Sequence, residues 1–296
     1  MIDFKLIEKN DINYFKKFYD YETALGCDTN IFSVYLWRNE FNIKFAVYDK
    51  TLIKAYFTDD DTVWGYCMPV GKNVKGALEL IFADAYDRGS TPHIVMLTNG
   101  QRAMLETMYP SRFEFVRSPE NQDYIYLSKD LATLQGKKFH AKRNHISKFY
   151  RKYNDTRFET LESSNKADVW QVFEKWCIEN NININYHDET SVIKEALELG
   201  DEFGVTGAVL YVEDKPVAMT LGSEISSKVF DISIEKALRE YDGVYAVINN
   251  EFAKTLTSYE YINREEDMGI EGLRKAKLSY NPVIILDRFN AIQIKN

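Results

Sequence analysis

Histidine and cysteine are scarce in this chain. Only four histidines stand in 296 residues. His140 and His145 are five apart, which misses the i, i+4 spacing that presents a metal pair on one helix face. The cysteines Cys27, Cys67 and Cys177 are odd in number and widely separated. That argues against a disulfide framework or a zinc site and fits a reduced, cytoplasmic setting. No metal site is expected. No apolar run approaches roughly 18 residues, so no membrane span is expected. The start, Met-Ile-Asp-Phe-Lys-Leu-Ile-Glu, lacks a charged lead before an apolar core, so no signal peptide is expected. Gly71-Lys72-Asn73-Val74-Lys75-Gly76 is not a P-loop, since no Gly-Lys-Ser/Thr follows. No nucleophile elbow and no Ser/His/Asp set can be read from spacing. Net positive charge is absent too: the formal charge is −8, so the molecule as a whole does not read as a nucleic-acid binder.

What is present is enough to fold. The chain is 45% hydrophobic and 14% aromatic, which allows substantial cores, and its length suits about two domains. In the first half a short strand at Phe4–Leu6 precedes a helix through Tyr19, capped at Asn10 or Asp11. A second helix spans Ile31–Trp37. Strands follow at Phe41–Tyr48, Leu52–Phe57 and Thr62–Met68. Asn73–Tyr86 has helical spacing; then come a strand at His93–Leu97, a helix at Gln101–Met108, and strands at Phe113–Val116 and Tyr124–Leu127. In the second half the order returns. A strand at Arg157–Leu161, helices at Lys166–Glu179 and Ser191–Leu199, and strands at Val205–Val212, Val217–Leu221 and Lys228–Ile234 lead to a helix at Val244–Leu256. A strand at Tyr259–Ile262, a helix at Leu273–Tyr280, and strands at Val283–Leu286 and Ala291–Ile294 close the series. This order is that of acetyltransferase-like folds of the Gcn5-related type. The expected architecture is therefore α/β (α+β): two tandem acetyltransferase-like domains, residues 1–130 and 131–296, each a mixed, mostly antiparallel sheet flanked by helices. The second includes a basic connector helix.

The richest stretch runs from Tyr261 to Pro282. A buried strand ends at Ile262, a polar loop with two glycines follows, and a short helix carries Arg274, Lys275 and Lys277. Ligands of open α/β sheets gather where a strand ends and a loop leads to a helix. Arg264, Glu265, Glu266, Asp267 and Glu271 all lie on this loop. A solvated connection with a helix cap is the plainer reading. In the preceding strand Asp231, Ser233 and Glu235 should share one face opposite Ile232 and Ile234. That places Asp231 or Glu235 where a general base could work, if the face is not merely solvent-exposed. Leu131–Asn154 holds seven Lys and Arg and no acid. It therefore contributes +7 to a chain of −8, and the remainder carries −15. Phe139, Ile146, Phe149 and Tyr153 recur at near-helical spacing, so the segment reads as an amphipathic helix. It either attracts phosphates, whether of RNA, lipid headgroup or nucleotide, or serves as a linker with a solvated basic face. An acyl-coenzyme A enzyme should carry a glycine-rich turn before the helix at Val244. Here Arg239-Glu240-Tyr241-Asp242-Gly243 offers one glycine and two repelling acids.

Leu131 to Phe149 (Leu-Ala-Thr-Leu-Gln-Gly-Lys-Lys-Phe-His-Ala-Lys-Arg-Asn-His-Ile-Ser-Lys-Phe), with Ile234-Glu235-Lys236-Ala237 and Asn263 to Tyr280, resemble a bacterial family of uncharacterised proteins. That family is related to the C-terminal domain of phosphatidylglycerol lysyltransferase. The resemblance implies the tandem acetyltransferase-like fold and kinship with enzymes that move an aminoacyl group from aminoacyl-tRNA to a lipid or peptide. It matches Lys142-Arg143-Asn144 to the basic element of the lysyltransferases. No membrane-spanning flippase domain like that of those enzymes is expected, and their loop is more apolar than Asn263–Gly269. The expected activity is an acyltransferase of this aminoacyl-tRNA-dependent kind. Glu235 or Asp267 would be the base. Lys277 and Arg274 would stabilise the oxyanion or hold a donor phosphate. Lys138, Lys142, Arg143, Asn144 and Lys148, with Asn263 and Arg264, would hold substrate. Aminoacyl-tRNA is the expected donor and acyl-coenzyme A the less favoured one. The expected partner is tRNA or another phosphate-bearing ligand, with peripheral contact to an anionic membrane. A non-catalytic RNA- or membrane-surface-binding module is the reading from a different class.

Overall fold

The computed structural model describes residues 1–19 and 24–294. In chain order the elements are β1 (Lys5–Leu6), α1 (Asp11–Phe15), α2 (Ile31–Leu36), β2 (Ile43–Tyr48), β3 (Thr51–Phe57), β4 (Val63–Cys67), β5 (Val70–Gly71), α3 (Val74–Asp87), β6 (His93–Leu97), α4 (Asn99–Met108), β7 (Phe113–Arg117), β8 (Asp123–Leu127), α5 (Ser128–Thr133) and α6 (His140–Lys152). Then come β9 (Thr156–Thr160), α7 (Lys166–Glu179), α8 (Glu189–Phe203), β10 (Thr206–Val212), β11 (Lys215–Ser226), β12 (Val229–Ala237), α9 (Val244–Thr255), β13 (Tyr261–Asn263), α10 (Glu271–Leu278), β14 (Ile284–Leu286) and β15 (Phe289–Gln293). The order expected from periodicity is present in both halves, and two sheets flanked by helices result.

The strands do not stay with their halves. The first sheet runs β1-β2-β3-β4-β6-β15-β7, with β5 added beside β3, and the second runs β14-β8-β13-β12-β11-β10-β9. Thus β15, from the end of the chain, lies between β6 and β7 of the first sheet, with Ala291 opposite both Ile94 and Phe115. In return β8 lies between β13 and β14, with Ile125 opposite Asn263 and Ile284. Each of the two expected units, 1–130 and 131–296, lends one strand to the other's sheet.

The core is layered accordingly. One apolar cluster packs α3 and α4 on the outer face of the first sheet, through Leu78, Ile81, Phe82 and Leu105. A second packs α9 and α6 on the outer face of the second sheet, through Val247, Phe252 and Phe149. Between the sheets lies a shared cluster, where Phe15, Ile31 and Phe32 meet Val169, Phe173, Ile193 and Leu221. Phe32 and Phe203 stack across it at 5.2 Å. With ~25 cal/mol per Å² of apolar surface buried, this shared layer ties the halves into one body. No helix among the described residues is long and apolar enough to cross a membrane.

One expectation about β12 is corrected. Leu221 of β11 pairs with Ile234, but the next residue, Gly222, pairs with Ile232. Ser233 is the extra residue of a bulge, which reverses the alternation of side chains. Ile232 joins the cluster on the α9 side and Ile234 the cluster between the sheets. Asp231 and Glu235 therefore lie on opposite faces, not on one.

Candidate active site

The site grows from a fork in the second sheet. β12 and β13 pair in parallel over Val229–Asp231 and Tyr261–Asn263 only. Beyond that point the chain after Asn263 parts from β12, which runs on to Ala237, and stays hydrogen-bonded to Tyr124 of β8. Side chains of the α9 face fill the opening. Arg264, the first residue past β13, donates from Nη2 to Glu235 Oε1 at 2.9 Å, and Asn249 of α9 donates to Glu235 Oε2 at 3.2 Å. Both carboxylate oxygens of Glu235 are thus engaged. The guanidinium lies 5.0 Å from the ring centroid of Tyr280 and 5.9 Å from that of Tyr126. Two buried polar atoms here have no hydrogen-bond partner among the described residues: Arg264 Nη1, a donor, and Asn249 Oδ1, an acceptor. Leaving such atoms unpaired costs about 1–3 kcal/mol each. Their pairing by a ligand is the arrangement's open chemical possibility.

The basic helix α6 borders this opening. Its apolar side, through Phe149, packs onto α9. Gly243, the N-cap of α9, sits at φ +86°, and a Cβ there would come within 2.9 Å of the His145 carbonyl oxygen. Only glycine tolerates both the left-handed backbone and this approach. Of the basic side chains, Lys138 pairs with Asp130 at 2.7 Å, Arg143 donates to the carbonyls of Leu134 and Gly136, and Asn144 lies by His140. Lys148 is exposed. Lys142 alone turns inward, its Nζ 3.8 Å from the centroid of Tyr280. Burial, together with the Arg264 charge, pushes this amine down to about 8.

On the opposite face, between the sheets, lies an acidic chamber. Asp123 of β8 accepts at Oδ2 from the Cys27 amide (3.0 Å), Asn263 Nδ2 (3.0 Å) and Arg288 Nη2 (3.1 Å). Arg288 also pairs with Asp28 at 2.6 Å. Asn30, the side-chain N-cap of α2, donates to Asp231 Oδ2 at 3.1 Å, and Asp231 Oδ1 has no partner among the described residues. Burial and the charges of Asp123 and Glu266 push the Asp231 carboxyl up to about 8. Burial, then Asp231, holds Glu265 well above the carboxylate range, and burial, then Asp123, raises Glu266. Lys277 is buried beneath this loop and donates to the carbonyls of Arg264 and Glu266. Burial and Arg264 lower its ammonium. Cys27 Sγ and carboxylate oxygens of Asp123 and Glu266 lie within 4.8 Å of one another, a set with the chemistry to ligate a cation. Arg288 and Lys277 already bring positive charge to the same place. All three cysteines are free thiols.

The expected residues thus fall into three groups. Glu235, Arg264 and Lys142 meet in the fork. Asn263 and Lys277 serve the chamber and the loop. Asp267 and Arg274 form a separate knot: Asp267 accepts from Arg274 at 2.7 and 2.9 Å, from the Tyr124 hydroxyl at 2.6 Å and from the Gly269 amide at 2.9 Å. Burial alone would raise the Asp267 carboxyl, but the bonds from Arg274 and Tyr124 outweigh it and hold the carboxyl low. It is a poor proton acceptor. Cys27, Asn30, Asp123, Asn249, Tyr280 and Arg288 escaped the sequence reading. They meet across long sequence separations, and only Asn249, a polar residue inside the apolar pattern of α9, left a local signal.

The phosphatidylglycerol lysyltransferase C-terminal family matches residues 23–292. The chain belongs to this family. A conserved protein of unknown function from Bacteroides thetaiotaomicron is 38% identical with a TM-score of 0.91, over 99% of this chain and 100% of that one. The L-PGS of Bacillus licheniformis shares the fold at 14% identity and a TM-score of 0.67, over 98% of this chain and 93% of that one. So does the C-terminal domain of a proposed lysylphosphatidylglycerol synthetase from Agrobacterium fabrum, at 13% identity and a TM-score of 0.68, over 97% and 92%. The fold is acetyltransferase-like in both halves, and acyl or aminoacyl transfer is the chemistry to which family membership points.

Proposed function

We propose that this protein moves an aminoacyl group from aminoacyl-tRNA to an acceptor on a lipid or peptide, and that the fork between β12 and β13 is where transfer occurs. The observation that carries this reading is the orphaned pair, Arg264 Nη1 and Asn249 Oδ1, placed beside Glu235 under the basic helix. The donor N–H suits an ester carbonyl that becomes an oxyanion, and the acceptor suits the α-ammonium next to it. The ester is already activated, so the protein's tasks are to align the two substrates, stabilise the oxyanion and move one proton. Glu235, bonded at both oxygens, holds Arg264 in place and is not the base in this reading. Lys148 and the outer face of α6 supply phosphate attraction for the tRNA end or an anionic headgroup.

Acyl-coenzyme A finds less support as the donor. The N-terminus of α9 would have to receive its pyrophosphate. The His145 carbonyl closes on Gly243 there, and Glu240 and Asp242 add negative charge. Purified protein titrated with charged and uncharged bulk tRNA, beside acetyl-coenzyme A, across a salt series tests the choice. Tighter binding of charged tRNA is expected. Binding of acetyl-coenzyme A alone would overturn the reading. RNA binding by the unaltered protein with no turnover on any donor would leave a non-catalytic binding module.

A further inference from the structure

We propose that Lys142 is the residue that shuttles the proton during transfer, and not one of the phosphate clamps of its helix. This rests on the fork being the transfer site. Lys138 and Arg143 are held by neighbours and Lys148 faces solvent. Lys142 is half-buried, lies on the Tyr280 ring at 3.8 Å and has no carboxylate within salt-bridge distance among the described residues. The Arg264 guanidinium shares that ring at 5.0 Å. Among the described residues Glu235 is the carboxylate whose charge acts on Lys142, and its oxygens already serve Arg264 and Asn249. Two cations against one committed carboxylate, at a half-buried position, favour the neutral amine. Such an amine can take and return a proton near neutral pH. Asp267, deep in its knot with Arg274, has no such freedom.

The step balances as follows. Neutral Lys142 Nζ takes the proton from the acceptor's hydroxyl or amine while that heteroatom bonds to the ester carbonyl carbon. Arg264 Nη1 holds the oxyanion. When the carbonyl re-forms, the bond from carbon to the ribose oxygen breaks, and that oxygen leaves with the proton returned from Lys142.

Two readouts test this. Trace acetylation of the intact protein with acetic anhydride across pH 6–11 (~0.5-unit steps), read by mass spectrometry, reports the titration of Lys142 beside Lys148. The expected midpoint for Lys142 is about 8, well below the usual lysine value of about 10.4. Coincident midpoints would overturn the proposal without touching the transfer reading. Transfer from charged bulk tRNA is the second readout. Lys142→Arg should lower kcat by about 100-fold with tRNA affinity within about threefold. Lys142→His should restore part of the rate and move the acid limb of the pH profile down, toward the imidazole range of about 6.5. A loss confined to KM, or full rate in Lys142→Arg, would make the residue a clamp. A midpoint at the expected value with no transfer from any donor would refute the transfer reading, and the shuttle with it.

Discussion

In the first half β4 pairs in parallel with β6 at Tyr66–Ile94 and Cys67–Val95 and stops there. In the second half β12 pairs with β13 up to Asp231 and runs on to Ala237. The earlier fork is also tighter: a Cβ on Gly65 would lie 2.5 Å from Val95 Cγ1. The pocket beside it, about 170 Å³, is lined by Val70, Val95, Met68 and Met96 around Lys54. That lysine donates to the Asp28 carbonyl at 2.7 Å. So each fork holds a buried cation. The first is bound to a backbone carbonyl, and the second keeps an N–H without a partner among the described residues. The forks thus differ in how their cations are committed, and the unpaired N–H is why we propose chemistry for the second half.

Substituting the two cations tests this contrast most severely. Arg264→Lys should cut transfer by about 100-fold or more, the loss of one oxyanion donor. Lys54→Met should leave transfer within about threefold while lowering stability by about 1–3 kcal/mol, because the Asp28 carbonyl loses its donor. Transfer rates and urea unfolding of both variants settle it, and equal losses of transfer would erase the contrast. Gly243→Ala should cost about 1–3 kcal/mol in the same unfolding measurement, from the strained φ and the press against α6.

Asp231 sharpens the contrast through pH. Its carboxyl is raised to about 8 in the folded chain, against about 4 when unfolded. The folded state therefore holds a proton that the unfolded state releases. Stability should be full below about pH 4, fall as the pH rises toward 8, and level off above. Asp231→Asn should flatten that slope in thermal melts across the pH range, and an unchanged slope would assign it to other groups. The smallest effect is expected on the outer face of α6. Lys148→Ala should reduce the salt slope of tRNA binding by about one and leave the rate at saturating tRNA unchanged.

Local chemistry made much of this visible in the sequence. The alternation of β2 and β3, the helical spacing of Val74–Ala85 and the loop after Ile262 each declare themselves within about 15 residues. The seven cations of Leu131–Asn154 likewise marked α6. Three features depended on distant partners. Ser233 looks like any strand residue until β11 shows that it is unpaired. Tyr124-Ile-Tyr-Leu and Phe289-Asn-Ala-Ile read equally well as edges of either sheet. Lys142 and Lys148 are both lysines of one basic helix, and only Tyr280, 138 residues beyond Lys142 in the chain, separates their environments.

The exchange of β8 and β15 bears on how the molecule is made. A ribosome delivers β6 and β7 long before Phe289–Gln293, so the place between them waits empty for most of synthesis, with two strand edges exposed. The first sheet is finished last, by the final strand, after the second sheet has already taken β8. Folding should therefore complete in one late, cooperative event and not half by half. A nascent chain stalled before Phe289 should be protease-sensitive throughout its first half, where the full chain is resistant.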